Sequence, residues 1–134
     1  MQMPPSISAC QGLRVHVPCQ FTFPHQASSE DPRGYWFKKE SLGYPARSRS
    51  GRLVASSDKK AAIDRSAANR FQFVGDPKRG NCSFSITNAQ REDEGRYYFR
   101  IEQGDLKYTY VNHDDQIHTS PAIFVSGCLP VVKE

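Results

Sequence analysis

The sequence predicts an all-β protein, built as an antiparallel sandwich of two sheets. Three observations predict it. About nine short runs alternate apolar and polar residues with period two, the pattern that sends successive side chains to opposite faces of a strand. Clusters of Gly, Pro, Asn and Asp separate these runs at regular intervals. No stretch carries a convincing long helical stripe, and no internal repeat is present.

Length and composition narrow the function classes. At 134 residues the chain is the size of one domain. We expect that domain to span residues 1–128, with residues 129–134 as a linker or tail. The formal charge of +4 is spread along the chain without a basic run or a nucleic-acid motif, so it favours anionic partners only through mild long-range attraction. No apolar run approaches the roughly 18 residues of a membrane span, so the segment is not expected to insert into a bilayer. The start, Met1 to Pro5, lacks the regions of a signal peptide, and the chain reads as an excised ectodomain. Four cysteines form an even set, which suits an oxidising compartment. None sits in a CxxC or a Cys/His cluster. His16, His25, His113 and His118 show no metal-ligand spacing, and His113-Asp114-Asp115 reads as an acidic loop tip. There is no nucleophile elbow and no Gly-rich loop before a helix, so neither an enzyme nor a cofactor is expected.

Taken in order, Ser6 to Cys10 reads as a first edge strand after two prolines. Leu13, Val15, Val17, Cys19 and Phe21 alternate with polar neighbours and predict a strand with one buried face, distorted at Pro18. A loop from Phe23 to Arg33 follows. Gly34 to Lys38 is the next strand, with Trp36 pointing in and Tyr35 and Phe37 pointing out. Ser41 to Arg52 is a long polar loop, Leu53 to Ala55 a short strand, and Lys59 to Ala68 an Ala-rich stretch of faintly helical character whose pattern is too short to assign. Arg70 to Val74 alternates again. After the turn Gly75 to Gly80, Cys82, Phe84 and Ile86 form the inward face of a further strand. Gln90 to Gly95 turns into the strand that starts at Tyr97. Gly104-Asp105 closes a tight hairpin, and Lys107 to Tyr110 begins a last strand. Val111 to His118 interrupts it, and Ala122 to Val125 resumes it.

The stretch Asp93 to Tyr110 organises the rest. Asp93-Glu-Gly-Arg-Tyr97 resembles the turn of immunoglobulin sandwiches that carries a tyrosine corner, where the phenol bonds back to nearby backbone. If Tyr97, Phe99 and Ile101 face the core, then Tyr98, Arg100 and Glu102 face out. Arg100 is then a planar guanidinium on an open sheet face, suited to hold both oxygens of a carboxylate. The plainer alternative is an ordinary solvated arginine. Trp36 resembles the core tryptophan of strand C, and Arg70 with Asp93 resembles the V-set ion pair that ties strand D to the E–F turn. At the place of the usual second core cysteine on strand F stands Phe99.

Beyond these features, Gly12 to Cys19, Gly34 to Phe37, Arg70 to Pro77, Asn81 to Ile86 and Tyr97 to Gly104 resemble the amino-terminal V-set domain of the sialic-acid-binding immunoglobulin-like lectins, the Siglecs. The resemblance implies an immunoglobulin V-set two-sheet antiparallel sandwich. It implies that Arg100 binds the carboxylate of sialic acid, that Lys107, Tyr108 and Thr109 supply backbone bonds and an aromatic contact, and that Tyr98 lies beside them. With it goes a bridge between Cys19 and Cys82 within one sheet, in place of the usual bridge from strand B to strand F. Cys10 and Cys128 are then left to meet where the first strand runs beside the end of strand G; an intermolecular bridge or two free thiols are the alternatives. Asn81-Cys-Ser83 is an N-glycosylation sequon. The implied partners are sialylated glycans on glycoproteins or glycolipids, met by the extracellular part of a plasma-membrane protein. Three features depart from the family: Arg14 stands where a cysteine is usual, the first strand has no sugar-contacting aromatic, and Val111 to His118 is long. The rival expectation is a protein-binding V-set receptor or adhesion domain that uses Tyr35, Phe37, Tyr98, Tyr108 and Tyr110 as an aromatic face.

Overall fold

The computed structural model describes residues 2–22, 31–39, 51–110 and 121–128. Residues 23–30 and 41–50 of the loops expected from Phe23 to Arg33 and from Ser41 to Arg52, the interruption at 111–118, the tail 129–134 and His25, His113 and His118 lie outside the described residues; the ends of those loops are strand, since Arg33 opens one strand and Gly51 and Arg52 another.

Nine strands form two sheets among the described residues: β1 (Ser6–Cys10), β2 (Val15–Val17), β3 (Arg33–Lys39), β4 (Gly51–Ser56), β5 (Phe71–Phe73), β6 (Phe84–Ile86), β7 (Gly95–Gln103), β8 (Leu106–Tyr110) and β9 (Ala122–Ser126). The larger sheet runs β1-β9-β7-β3-β4, with β8 also on β7; the smaller runs β2-β6-β5. All pairs are antiparallel except β1 with β9, which is parallel. Both β8 and β9 lie along the same edge of β7, β8 beside Phe99 to Gln103 and β9 beside Gly95 and Arg96. They are the two halves of one interrupted strand.

The core lies between the sheets. Trp36 is fully buried, with ring centroids 4.8 Å from Phe84 and 5.3 Å from Phe99. Its indole N–H donates to the Cys82 carbonyl at 2.7 Å, which satisfies the one polar atom of the ring across the core. Phe99 fills the volume of the missing cysteine and also meets Phe21 at 5.0 Å. The ladder of β2 stops at Val17, because Pro18 has no N–H to give. Beyond it the chain is held by Cys19 N–H to the Ser83 hydroxyl at 3.0 Å and Cys82 N–H to the Cys19 carbonyl at 2.9 Å.

One expected core residue is not in the core. Leu13 is exposed, although Val15, Val17, Cys19 and Phe21 are buried as the alternation predicts. The cause is the turn before β2: Gly12 takes φ 87° and the Leu13 N–H closes back on the Cys10 carbonyl at 3.0 Å, so the strand pattern begins only after it. Lys59 to Ala68 forms turns, with Ala68 N–H donating to Asp64 at 3.0 Å, and no helix.

Candidate ligand-binding face

The position of the site starts at the base of β7. The Tyr97 hydroxyl donates to the Asp93 carbonyl, the tyrosine corner expected from the sequence. The Asp93 carboxylate is held by a two-pronged bond from Arg70, at 2.7 Å and 2.8 Å, and by the Gln90 N–H at 2.7 Å. Burial, and after it the negative charge of Asp93, push the Tyr97 phenol far above its ordinary value. With Tyr97 turned in, the strand has no freedom to rotate. Tyr97, Phe99 and Ile101 are fully buried, and Tyr98, Arg100 and Glu102 take the outer face.

Register then decides what surrounds Arg100. Across β3 the pairs are Phe37 with Tyr98, Tyr35 with Arg100 and Arg33 with Glu102. Across β8 they are Thr109 with Arg100 and Lys107 with Glu102. The Arg100 side chain is 31% exposed. Its Nη1 donates to the Thr109 hydroxyl at 3.0 Å and its Nε to Glu102 Oε2 at 2.8 Å. Glu102 Oε1 in turn lies 3.9 Å from Arg33 Nη2. The Tyr35 hydroxyl donates to Asp58 at 3.2 Å, and burial raises its pKa.

Below Arg100 the outer face is closed. Tyr98 stacks on Phe37, centroids 5.1 Å apart and 14° from parallel, and is only 8% exposed. Gly51 makes this possible, since a Cβ there would stand 2.7 Å from the Tyr98 hydroxyl. Beside this stack the Lys39 ammonium is pushed down, first by burial and then by Arg96.

The two strand-G tyrosines do not share this face. Tyr108 pairs with Ile101 and Tyr110 with Phe99, so both lie on the inward side of β8. Tyr110 is buried in the core and donates its hydroxyl to the Thr22 carbonyl at 2.7 Å; burial pushes its phenol up to about 12. Tyr108 is 51% exposed, with its ring edge-on to Tyr110 at 4.7 Å. The five aromatics expected to form one protein-binding face are therefore split by the pleat, and that expectation is corrected.

The structure brings Arg100 and Thr109 into contact, sets Lys107 on the same face one pair further along, and places Tyr108 round the edge of β8. Three neighbours were missed in the sequence. Arg33 falls at the end of the loop expected from the sequence, although it continues the alternation of Tyr35 and Phe37. Asp58 and Gly51 carry no sequence signal for their roles.

Comparison with known proteins decides the family. The family described as the immunoglobulin V-set domain matches residues 2–118. Sialic acid-binding Ig-like lectin 9 of Homo sapiens is 34% identical over 96% of this chain and 28% of its own length. Sialic acid-binding Ig-like lectins 10 and 5 of Homo sapiens are 37% and 36% identical over 80% and 82% of the chain, and 15% and 20% of their own lengths. The chain belongs to the immunoglobulin V-set family, as a Siglec V-set domain. It spans less than a third of the length of these three relatives.

In V-set terms β7 is strand F, and β8 with β9 is strand G. Cys19 is bonded to Cys82, Cα atoms 4.9 Å apart, and Cys10 to Cys128, Cα atoms 5.2 Å apart. The first bridge joins the strand B and strand E segments of the small sheet. The second joins β1 to the end of β9 in the large one. Asn81 accepts the Ser83 N–H on its side-chain oxygen at 2.9 Å and is half-buried. His16 is exposed. Among the described residues no group of three His, Cys, Asp or Glu could hold a metal ion, and no helix is long and apolar enough to cross a membrane.

Proposed function

We propose that this domain is a lectin for terminal sialic acid, in the extracellular part of a cell-surface receptor, and that it recognises without catalysis. The observation that carries the reading is Arg100: a guanidinium fixed on the outer face of strand F, partly exposed, and braced by Thr109. The names of the related lectins support the same ligand. In this reading Arg100 takes the ligand carboxylate. β8 is the edge strand beside it, and nothing among the described residues pairs with its outer edge. Its backbone at Lys107 and Thr109 is thus open to polar groups of the sugar. Tyr108 offers an exposed ring to a ligand that reaches round that edge, and Tyr98 forms the floor below Arg100. The ligands are sialylated glycans of glycoproteins or glycolipids, and Asn81 is proposed as a glycosylated position of the domain itself.

A charge-assisted bidentate contact contributes about 1.5–3 kcal/mol. Sugar hydroxyls exchange water bonds for protein bonds at little net gain. Monovalent binding is therefore expected in the millimolar to micromolar range, roughly −4 to −8 kcal/mol. Clustering on a cell surface supplies the avidity. The protein-binding alternative is weakened by the split of its aromatic face, since Tyr110 is in the core and Tyr98 is nearly covered.

The test is titration of sialyllactose followed by NMR. Arg100→Ala should abolish binding with the fold retained and the melting temperature lowered by no more than about a few degrees. Arg100→Lys should weaken it severely, because the charge remains but the fork is lost. Binding by Arg100→Ala equal to wild type, or no binding by wild type, would end the lectin reading.

A further inference from the structure

We infer that Glu102 is a resident carboxylate that holds the Arg100 Nε–H in the free domain and is handed across to Arg33 when a ligand carboxylate arrives. The inference rests on the reading of Arg100 as the carboxylate receptor.

A guanidinium offers its five N–H donors in a rigid plane, and a carboxylate is held best when two of them point at its two oxygens. In this domain two of those five donors are already engaged. Glu102 Oε2 takes the Nε–H at 2.8 Å and Thr109 takes an Nη1–H at 3.0 Å. A ligand carboxylate that approaches Arg100 therefore meets a second carboxylate on the same guanidinium. Two like charges on one cation repel, and the incoming group binds tightly only if the resident one moves.

The structure contains the place for it to go. Arg33 stands directly opposite Glu102 on β3. Its Nη2 is 3.9 Å from Glu102 Oε1, an ion pair by distance but beyond a hydrogen bond. Its Nε is buried and has no hydrogen-bond partner among the described residues. A buried donor in this state is costly, and satisfying it recovers free energy. Glu102 is thus shared unevenly between two arginines, close to Arg100 and loose on Arg33. Lys107, opposite Glu102 on β8, adds a third cation at the same level and keeps the displaced carboxylate in a positive field.

Two consequences follow for affinity. Glu102 weakens binding of the ligand, as an internal competitor. Arg33 strengthens it, but only through Glu102. Arg33 is a positioning residue, and its effect vanishes when Glu102 carries no charge.

The experiment is a double-mutant cycle read by sialyllactose titration. The variants are Glu102→Gln, Arg33→Gln and the pair together, with Glu92→Gln as a control for the same change in net charge in the turn before β7. Glu102→Gln should bind about fivefold tighter than the Glu92→Gln control, the scale of one partly exposed ion pair. Arg33→Gln should bind roughly threefold weaker than wild type, yet change nothing in the Glu102→Gln background. In NMR, the Arg33 Nε–H signal should shift on saturation of wild type and stay in place in Glu102→Gln. If Glu102→Gln binds no tighter than the control, Glu102 merely orients Arg100 and the hand-over is wrong. If Arg33→Gln loses the same affinity in both backgrounds, Arg33 touches the ligand itself and the hand-over is again wrong. Either result, with Arg100→Ala still inactive, leaves the lectin reading intact. No binding by wild type or by Glu102→Gln overturns both.

Discussion

Replacing Arg70 with alanine should unfold this domain far more readily than the loss of a surface ion pair would. The Asp93 side chain is 4% exposed and that of Arg70 19%. Their bond is two-pronged, at 2.7 Å and 2.8 Å. Arg70 also donates to the carbonyls of Ser66 at 3.0 Å and Asn88 at 3.2 Å. Without Arg70, the Asp93 carboxylate keeps only the Gln90 N–H among these donors while it stays out of water. Breaking a buried pair from one side costs roughly 3–5 kcal/mol, and the partial exposure of Arg70 places this case near the lower end. For a domain of this size about 3 kcal/mol corresponds to a fall in Tm on the order of 10 °C. Urea unfolding with the disulfides intact measures it directly, because the only tryptophan, Trp36, is fully buried and reports on the core alone. The loss should also change little with added salt, since a shielded pair is poorly screened. A cost below about 1 kcal/mol, or one that salt erases, would mean that Arg70 and Asp93 act as an ordinary surface pair.

Two further outcomes follow from the core. Phe99→Ala should cost about 3–5 kcal/mol in the same urea assay, because it empties the centre of the contact between Trp36 and Phe21; a cost near zero would show that the sheets close over the gap. Burial raises Tyr110 from 10.0 to about 12, so the stability it contributes is complete below pH 10 and lost as pH rises through about 12. Tyrosinate absorbance should therefore show a late phase in step with alkaline unfolding, and Tyr110→Phe should remove one phenol from that phase; an early, fully reversible ionisation of Tyr110 in the folded domain would contradict this.

Much of the face around Arg100 was legible in the sequence, because one fixed side chain determines a whole strand. Once Tyr97 is assigned to the corner, period two sends Arg100 outward, and the structure agrees. The hairpin at Gly104-Asp105 was legible too, and with a two-residue loop it pairs Gln103 with Leu106 and hence Arg100 with Thr109. That register already turns Tyr108 and Tyr110 away from Arg100. Grouping them with Tyr98 ignored it. Leu13 failed for a local reason, since the period starts only after the turn at Gly12. The remaining neighbours depend on pairings between segments far apart in the chain: Arg33 with Glu102, and Gly51 beneath Tyr98. Alternation within each segment says nothing about register between them.

The order of the site is inherited from contacts that cross the core without a covalent link. Both disulfides lie within a sheet, Cys19–Cys82 in the small one and Cys10–Cys128 in the large one. Each closes a long loop, with separations of 63 and 118 residues, and so acts mainly on the unfolded chain. An ordinary immunoglobulin sandwich places a bridge between its sheets, at the level where Phe99 stands in this domain. Three other contacts do that work. The Trp36 indole reaches the Cys82 carbonyl, the Phe99 ring packs against Phe21, and Arg70, at the entry to β5, grips Asp93, at the entry to β7. The last of these sits four residues before Tyr97 and seven before Arg100 on the same continuous stretch of chain. In the proposed lectin reading the guanidinium meets a planar carboxylate, a geometry that tolerates little tilt. Arg100 receives that precision from a strand clamped at its base and packed along its inner side, while the covalent bonds are spent elsewhere.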